Sequence, residues 1–398
     1  MTRVAFVTSH PIQYQVPVFR ELTRRGNIDL TVVFAQLPDQ KSQGSGFGVA
    51  FEWDIPLLEG YRHHVLDNVA SQPSVTTYAG CDTPRVADYL REQKFDAVIV
   101  NGWVVKTCLQ TLQACKRLRI PCLVRGEANH LRTRAWWKKV AQRFLVRRYA
   151  GYLYIGEANR NFYKSYGVPD DRLFPCRYCI ELERFSRFDD DEDTRRAARD
   201  RWGIPQDAVC FLFSGKFEEK KHPRMLLESM LIAKNAGMKA HALMVGDGVL
   251  RAECETYARE QQLPVSFAGF INQSEIPLAY QATDCLVLPS DAGETWGLVV
   301  NEAMACRRPA IVSRLVGCRR DLIEEGVTGA SFTFGDRQAL ADLLLMFSRQ
   351  PAQLREMGER AFQRTQDYSP LKAAEGIEVA VESTLLRWQR KASGGSRD

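Results

Sequence analysis

The sequence predicts an α/β protein made of two doubly wound, parallel-sheet, Rossmann-like domains. Three observations lead there. Short apolar runs alternate with amphipathic stretches through the first half, and the same alternation restarts near residue 209. A chain of 398 residues is also too long for a single core of ordinary size. The expected partition is a first domain over 1–187, a second over 188–368, and a last helix over 369–390 that crosses back to the first.

In the first half, strands are expected at 4–8, 30–35, 97–100, 122–124, 152–155 and 172–175. Each is a short apolar run bounded by turn residues. Helices are expected to begin near Gln15, Val104, Leu131 and Ala158. Ligands of such sheets bind beyond the carboxyl ends of the strands. Three loops stand out there: 9–13, 101–103 and 125–130.

Residues 36–80 are less regular and contain QGSGFG at 43–48. A long loop in a compact domain is usually functional or mobile, so this stretch is a candidate cover for an acceptor site or a loosely ordered surface loop. Residues 131–149, LRTRAWWKKVAQRFLVRRY, are basic and aromatic. On a helix, Thr133, Trp137, Val140 and Phe144 share one face. Arg132, Lys139, Arg143 and Arg147 share another. Such a helix either rests peripherally on an anionic membrane or packs as a core helix with a solvated basic face. Interleaved bases and aromatics also suit single-stranded nucleic acid, but the chain carries no nucleic-acid motif. The acidic-then-basic run SRFDDDEDTRRAARD at 186–200 reads as a solvated interdomain linker rather than a metal site.

In the second half, strands are expected at 209–213, 242–245, 265–268, 285–288 and 310–312. After Thr333 the strands stop, and helices are expected over 337–348, 352–365 and 372–390.

Composition narrows the function classes. Hydrophobic content of 45% and charged content of 26% are those of a globular protein. The net charge of +6 is too small to select nucleic acid or membrane. No apolar run approaches the ~20 residues of a membrane span. The opening MTRVAFVTSHPIQ has too short an apolar core for a signal peptide and reads as a first strand. Eleven cysteines, an odd number, suggest buried free thiols in the cytoplasm. Cys176 and Cys179 form a lone Cys-x2-Cys with no second pair nearby, so no metal site is expected.

The most informative stretch is 285–313, CLVLPSDAGETWGLVVNEAMACRRPAIVS. It reads as strand, turn, helix from about Trp296 to Cys306, and strand. Glu294 in the turn and Glu302 in the helix are eight residues apart. At ~1.5 Å per residue that is up to ~12 Å, too far for a paired acid and nucleophile but suited to two grips on one elongated ligand. Between them, a helix N-terminus with Gly297 offers free amides to an anion.

This stretch resembles the Glu-x7-Glu signature of retaining glycosyltransferase family 4, through Glu294, Trp296, Gly297, Glu302, Ala303, Met304, Ala305 and Pro309. Arg307 stands where that pattern has glycine. FLFSGKFEEKKHP at 211–223 resembles the family's G-R-x4-K-G loop, with Lys216 for the arginine, Lys221 matching the lysine and His222 in place of the glycine. LMVGDGVLR and FAGFINQSEIPLAYQATDCLVLPS resemble the segments that follow.

The resemblance implies GT-B architecture, two Rossmann-like domains facing a cleft. It implies transfer of a sugar with retention, from a nucleotide-sugar such as a UDP- or GDP-sugar to a glycan or lipid-linked acceptor, in making cell-surface polysaccharide or glycoconjugate. It implies no metal and no cofactor. Lys216 and Lys221, cationic point charges, would hold the diphosphate as negative charge grows on it. Glu302 would hold the ribose, and Glu294 the donor sugar with the amides of Gly297, Leu298 and Val299. Gly215 and Gly246 would shape the donor site, and Phe270 and Ile271 would contact the base. Tyr280 and Asp284 are expected to be structural.

The first half resembles the family less. Its first loop has no glycine pair, and the middle strand ends Arg125-Gly126-Glu127 with no histidine. His10, Gln13, Arg125, Glu127 and His130 are the candidates for the acceptor and sugar side. Two other readings are a nucleotide-sugar epimerase of the same architecture and a non-catalytic nucleotide-sugar-binding subunit.

Overall fold

The computed structural model describes residues 1–37, 51–187 and 191–394. The chain forms two compact units. The first comprises the described residues of Met1–Ser42, Pro56–Cys179 and Ser369–Asp398; the second comprises those of Gln43–Ile55 and Ile180–Tyr368.

The first unit is built on seven strands: β1 (Thr2–Thr8), β2 (Ile28–Phe34), β3 (His63–Val65), β4 (Ala97–Asn101), β5 (Cys122–Gly126), β6 (Gly151–Tyr154) and β7 (Leu173–Pro175). All pair in parallel, in the order β3-β2-β1-β4-β5-β6-β7. The strand order turns between β1 and β4, where Val4 pairs with both Leu30 and Ala97. Parallel strands covered on both faces must be apolar throughout, and Val4 to Val7 and Ala97 to Val100 are all at most 1% exposed. The strand β3 has no counterpart among the expectations, because HHV carries no apolar run and is mostly exposed.

The second unit has six parallel strands: β8 (Val209–Ser214), β9 (Ala240–Val245), β10 (Val265–Gly269), β11 (Cys285–Leu288), β12 (Ala310–Ser313) and β13 (Gly329–Phe332). Their order is β10-β9-β8-β11-β12-β13, with the turn in order between β8 and β11. The short, small-residue strand GASF of β13 also escaped the apolar-run criterion.

The division between units falls at Cys179 and Ile180 rather than at 187. Phe185 explains it: its ring lies 6.1 Å from Tyr280, and its carbonyl accepts from the Cys306 thiol. The expected linker is also different in kind. Residues 188–190 lie outside the described residues, but Glu192–Arg201 is a helix of the second unit, capped by Asp191. From it, Arg195 and Arg199 clamp Asp284 at 2.6 and 2.8 Å. The expected cover loop has a similar outcome. QGSGFG lies outside the described residues, and the residues that follow, 51–55, belong to the second unit.

The last helix, Pro370–Gly394, packs in the first unit, burying Ala373, Ala374, Ile377, Ala380 and Val381. Gly376 makes that possible, since a Cβ there would stand 1.7 Å from the Pro175 carbonyl oxygen. Arg25 donates to Glu378 at 2.8 Å. The basic aromatic helix starts at Trp136 rather than Leu131 and spans Trp136–Val146. It buries only Val146, so it is not a core helix. All eleven cysteines are free and buried.

Candidate functional site

Two loops leave the carboxyl ends of β8 and β11, the neighbouring strands at which the second sheet's order turns. Such switch points are where doubly wound sheets take ligands. The first loop runs from Gly215 through a short 3-10 turn, Glu219–Lys221, to the helix Pro223–Asn235. The second runs from Pro289 to the helix Leu298–Ala305.

Hydrogen bonds stitch the loops together. Asp291 N donates to the Lys220 carbonyl at 3.0 Å, and Gly293 N and Glu294 N donate back to Asp291. The Lys221 ammonium donates to Glu294 Oε2. Glu302, on the helix, receives the Tyr280 hydroxyl at 2.6 Å. Burial raises the Glu302 carboxyl above its ordinary value, against the lowering influence of the Tyr280 hydrogen bond, Arg184 and Lys221. Lys221 therefore serves both glutamates, by contact with one and by field with the other. Lys216 lies in the same loop, and burial pushes its ammonium down, with Lys220 and Lys221 adding to the effect against Glu218.

Backbone geometry explains the glycines. At Gly246, after β9, φ is 126° and a Cβ would stand 1.9 Å from the Gly215 carbonyl oxygen, so these two donor-loop candidates are held in contact. At Gly297, φ is 101° and a Cβ would press on Leu288 and Val316 at 2.9 and 3.0 Å. Gly297 starts the helix, so the first-turn residues Leu298 and Val299 directly follow the Glu294 loop. Trp296, 3% exposed, pins the turn by donating to Asn301 at 2.8 Å. His222 and Arg307, the two residues standing where the resembled pattern has glycine, both have positive φ, 48° and 58°. Both positions thus adopt the left-handed conformation that glycine enters most readily.

Phe270 and Ile271 are half-buried. The ring of Phe51 packs tilted against Phe270 with centroids 4.3 Å apart, Asn272 donates to the Glu52 carbonyl at 2.7 Å, and Ser274 N donates to Asp54 at 3.1 Å. Residues 51–55 thus line the loop singled out for a nucleobase, a role the sequence did not reveal because the partners are some 220 residues apart.

Sequence reasoning missed two further groups. Tyr280, expected to be structural, carries the hydrogen bond that Glu302 accepts, and only its Y-x-x-x-D context could have signalled it. Arg184 faces Glu302 electrostatically while donating to Gln273 at 2.6 Å, and nothing in its local sequence marks it. Asp284 is structural, as expected. Among the described residues, no group of three or more His, Cys, Asp or Glu side chains is placed to hold a metal.

In the first unit, Arg125 and Glu127 come together through Tyr178. The Arg125 guanidinium lies 4.6 Å over the Tyr178 ring, and the Tyr178 hydroxyl donates to Glu127. Arg125 is 5% exposed; burial opposes its charge, but Cys176, Tyr178 and Glu127 outweigh that and strengthen it. Arg125 also donates to Asn101 at 3.2 Å, and Asn101 to Thr8 at 3.3 Å, across the β1–β4 turn in strand order. His10 pairs with Ser9 at 2.8 Å, and burial pushes its imidazole down to about 4. Gln13 is half-buried in the same loop. His130 turns to the helix Glu157–Ser165, 2.7 Å from Ser165 Oγ and packed on Phe162 and Tyr166. Of these five, the structure joins Arg125 with Glu127 and directs His130 elsewhere.

Residues 194–364 match the family Glycosyl transferases group 1. The D-inositol 3-phosphate glycosyltransferase of Streptomyces coelicolor is 27% identical over 247 residues, 57% of this chain and 54% of that protein. The protein of the same description from Geodermatophilus obscurus is 30% identical over 278 residues, 60% of this chain and 56% of that protein. The chain spans about half the length of these curated relatives. Among solved structures, Anabaena HepE in complex with UDP and glucose superposes with a TM-score of 0.72 at 16% identity, covering 96% of this chain and 100% of that one. The fold is the GT-B fold of two Rossmann-like units.

Proposed function

We propose, for a chain whose residues 194–364 form a Glycosyl transferases group 1 domain, that it is a retaining, metal-independent glycosyltransferase. It moves a sugar from a nucleotide-sugar to a glycan or lipid-linked acceptor. The observation that carries this reading is the ion pair of Lys221 with Glu294, set beside Glu302 where the order of the second sheet turns. A cation flanked by two carboxylates recognises a ligand with a phosphate in the middle and hydroxyls on either side.

In this reading, Lys221 and Lys216 bind the diphosphate. The bond from the sugar C1 to the phosphate oxygen breaks, and charge develops on the leaving diphosphate, where preorganised cations stabilise it most. The acceptor hydroxyl oxygen bonds to C1, and its proton passes to the departing phosphate, so no side-chain nucleophile is required. Glu302 accepts from the ribose hydroxyls, held in place by Tyr280. Glu294 accepts from the sugar and positions it. The turn at Gly215 and Gly246 and the amides from Gly297 to Val299 complete the cradle. Phe270 and Ile271, with Phe51 behind them, meet the base. In the first unit, Arg125, Glu127, His10 and Gln13 are the candidates to meet the acceptor. The exposed helix Trp136–Val146 holds the enzyme peripherally at an anionic membrane surface, on the cytoplasmic side.

The Anabaena structure, described with UDP and glucose, supports the ligand class. Thermal shift against a panel of nucleotide-sugars identifies the donor, and NMR of the product's anomeric proton then tests retention. Stabilisation by none of the panel overturns the reading, as does release of free sugar with no acceptor needed.

A further inference from the structure

A cavity of about 730 Å³ lies within the first unit, lined from the helices Lys106–Leu118, Trp136–Val146 and Pro370–Gly394. Its walls include Cys122 at the start of β5, Ala150 just before β6 and Arg172 just before β7. It therefore sits at the amino ends of these strands. Arg125 and Glu127 stand at and beyond the carboxyl end of β5. The cavity is at the opposite end of the first unit's strands from Arg125 and Glu127, so it is a site apart from theirs.

Its chemistry is divided. The interior is aliphatic and aromatic, with Leu109, Leu112, Ile120, Leu145 and Trp388. The other lining residues include six cations, Lys116, Arg147, Arg148, Arg172, Arg387 and Lys391, and not one carboxylate. Lys116, Arg148, Arg172 and Lys391 form no ion pair among the described residues. Tyr149 also lines the cavity; it is 2% exposed, and its hydroxyl has no hydrogen-bond partner among the described residues. A volume of this size accepts a chain-like ligand, and a buried hydroxyl left unpaired is a cost that a polar ligand atom would remove.

The surroundings say where such a ligand comes from. Next to the cavity, the helix Trp136–Val146 leaves Trp136, Trp137, Val140 and Phe144 exposed, at 77, 56, 46 and 66%. Exposed aromatics beside cations are the pattern of an interfacial helix, with rings at headgroup level and cations toward anionic lipid.

We infer that this cavity takes one hydrocarbon chain of an anionic bilayer lipid, with the headgroup phosphate held by the cations at its rim. The inference extends the membrane contact proposed above from surface adhesion to extraction of a single lipid chain. It is independent of the transfer chemistry.

Chain length separates this from simple charge attraction. Each buried methylene strengthens binding about fourfold, whereas attraction of a phosphate to surface cations does not depend on the chain. Monomeric octyl and decyl phosphate, titrated against the full chain by tryptophan fluorescence, should differ about 16-fold in affinity. Inorganic phosphate should bind far more weakly than either. Leu112→Trp, which narrows the cavity, should weaken the chain-length dependence. Lys116→Glu with Arg148→Glu, on the rim, should lower decyl phosphate affinity at least tenfold and stop flotation with vesicles containing phosphatidylglycerol. Vesicles of phosphatidylcholine alone should not bind the parent protein.

Equal affinity for the two alkyl phosphates would overturn the inference. So would inorganic phosphate binding as tightly as decyl phosphate, or unchanged vesicle binding by the charge-reversed protein. Nucleotide-induced thermal shift of the same variants reads the second unit separately. Loss of lipid binding with that shift intact counts against neither proposal in a mutant, whereas a parent protein that shifts with nucleotide yet fails with alkyl phosphate overturns only this one.

Discussion

The Lys221 ammonium donates to Glu294, and each side chain is only 13% exposed. The two residues lie on loops after different strands, so the pair ties together the grips assigned to phosphate and sugar. This changes what single substitutions should do. On spacing alone, Glu294 would act only on the sugar. With Lys221 bound to it, Glu294 also orients the cation proposed to meet the diphosphate.

Lys221→Ala is expected to lower turnover at least ~100-fold, the loss of one preorganised donor to developing charge. Glu294→Ala should also weaken the sugar-free nucleoside diphosphate, though less than it lowers transfer. Removing either partner strands the other, at about 3 kcal/mol for a largely buried pair. Lys221→Met with Glu294→Gln should therefore recover stability but not activity. Calorimetry with the diphosphate and urea melts of the three proteins check this. Undiminished turnover in Lys221→Ala would remove the phosphate assignment.

Glu302 gives a pH dependence with a definite sign. Its folded carboxyl titrates above its unfolded value, so the folded state holds the proton over the interval between the two. Stability falls as pH rises through that interval, and at neutral pH the buried charge is a net cost. Glu302→Gln should thus raise Tm at neutral pH and lose that advantage below about pH 4. It should also weaken nucleotide binding by ~1.5–3 kcal/mol. In the parent protein, affinity should decline as acid protonates Glu302. Tyr280→Phe, which removes a bond to the charged form, should move that decline to higher pH. A pH-independent affinity in the parent would separate Glu302 from the ligand.

His222→Gly and Arg307→Gly test whether these positions matter for backbone or side chain. A left-handed conformation costs a non-glycine residue ~1–2 kcal/mol. Relief of that strain is offset by the entropy of glycine and by lost contacts, His222 to Asp291 at 3.4 Å and Arg307 over the Phe362 ring at 4.2 Å. Each variant should stay within ~1 kcal/mol of the parent by urea melting, with donor binding unchanged. A tenfold loss of donor affinity in His222→Gly would make the imidazole a ligand contact.

Turnover should persist in excess EDTA if, as proposed, the lysines and the helix start carry the neutralising role. Complete loss with recovery on adding manganese or magnesium would show that a divalent ion does that work instead.

Local sequence was enough for every strand but β3 and β13, and for naming the second unit's candidate residues. Parallel strands covered on both faces must be unbroken apolar runs, and Val209 to Phe213 and Cys285 to Leu288 declare themselves by that rule. A motif such as Glu294 to Glu302 is legible for a related reason: loop, helix start and both carboxylates lie within one short stretch. Tertiary structure alone decided what depends on residues far apart in the chain. It brought Phe51 onto Phe270 and Tyr280 onto Glu302, placed Arg184 in the field of Glu302, and gathered a cationic cavity from three separated helices. Those relationships rest on side-chain contact and on burial, which raises or lowers a charge according to everything around it. No window of neighbouring residues contains that information.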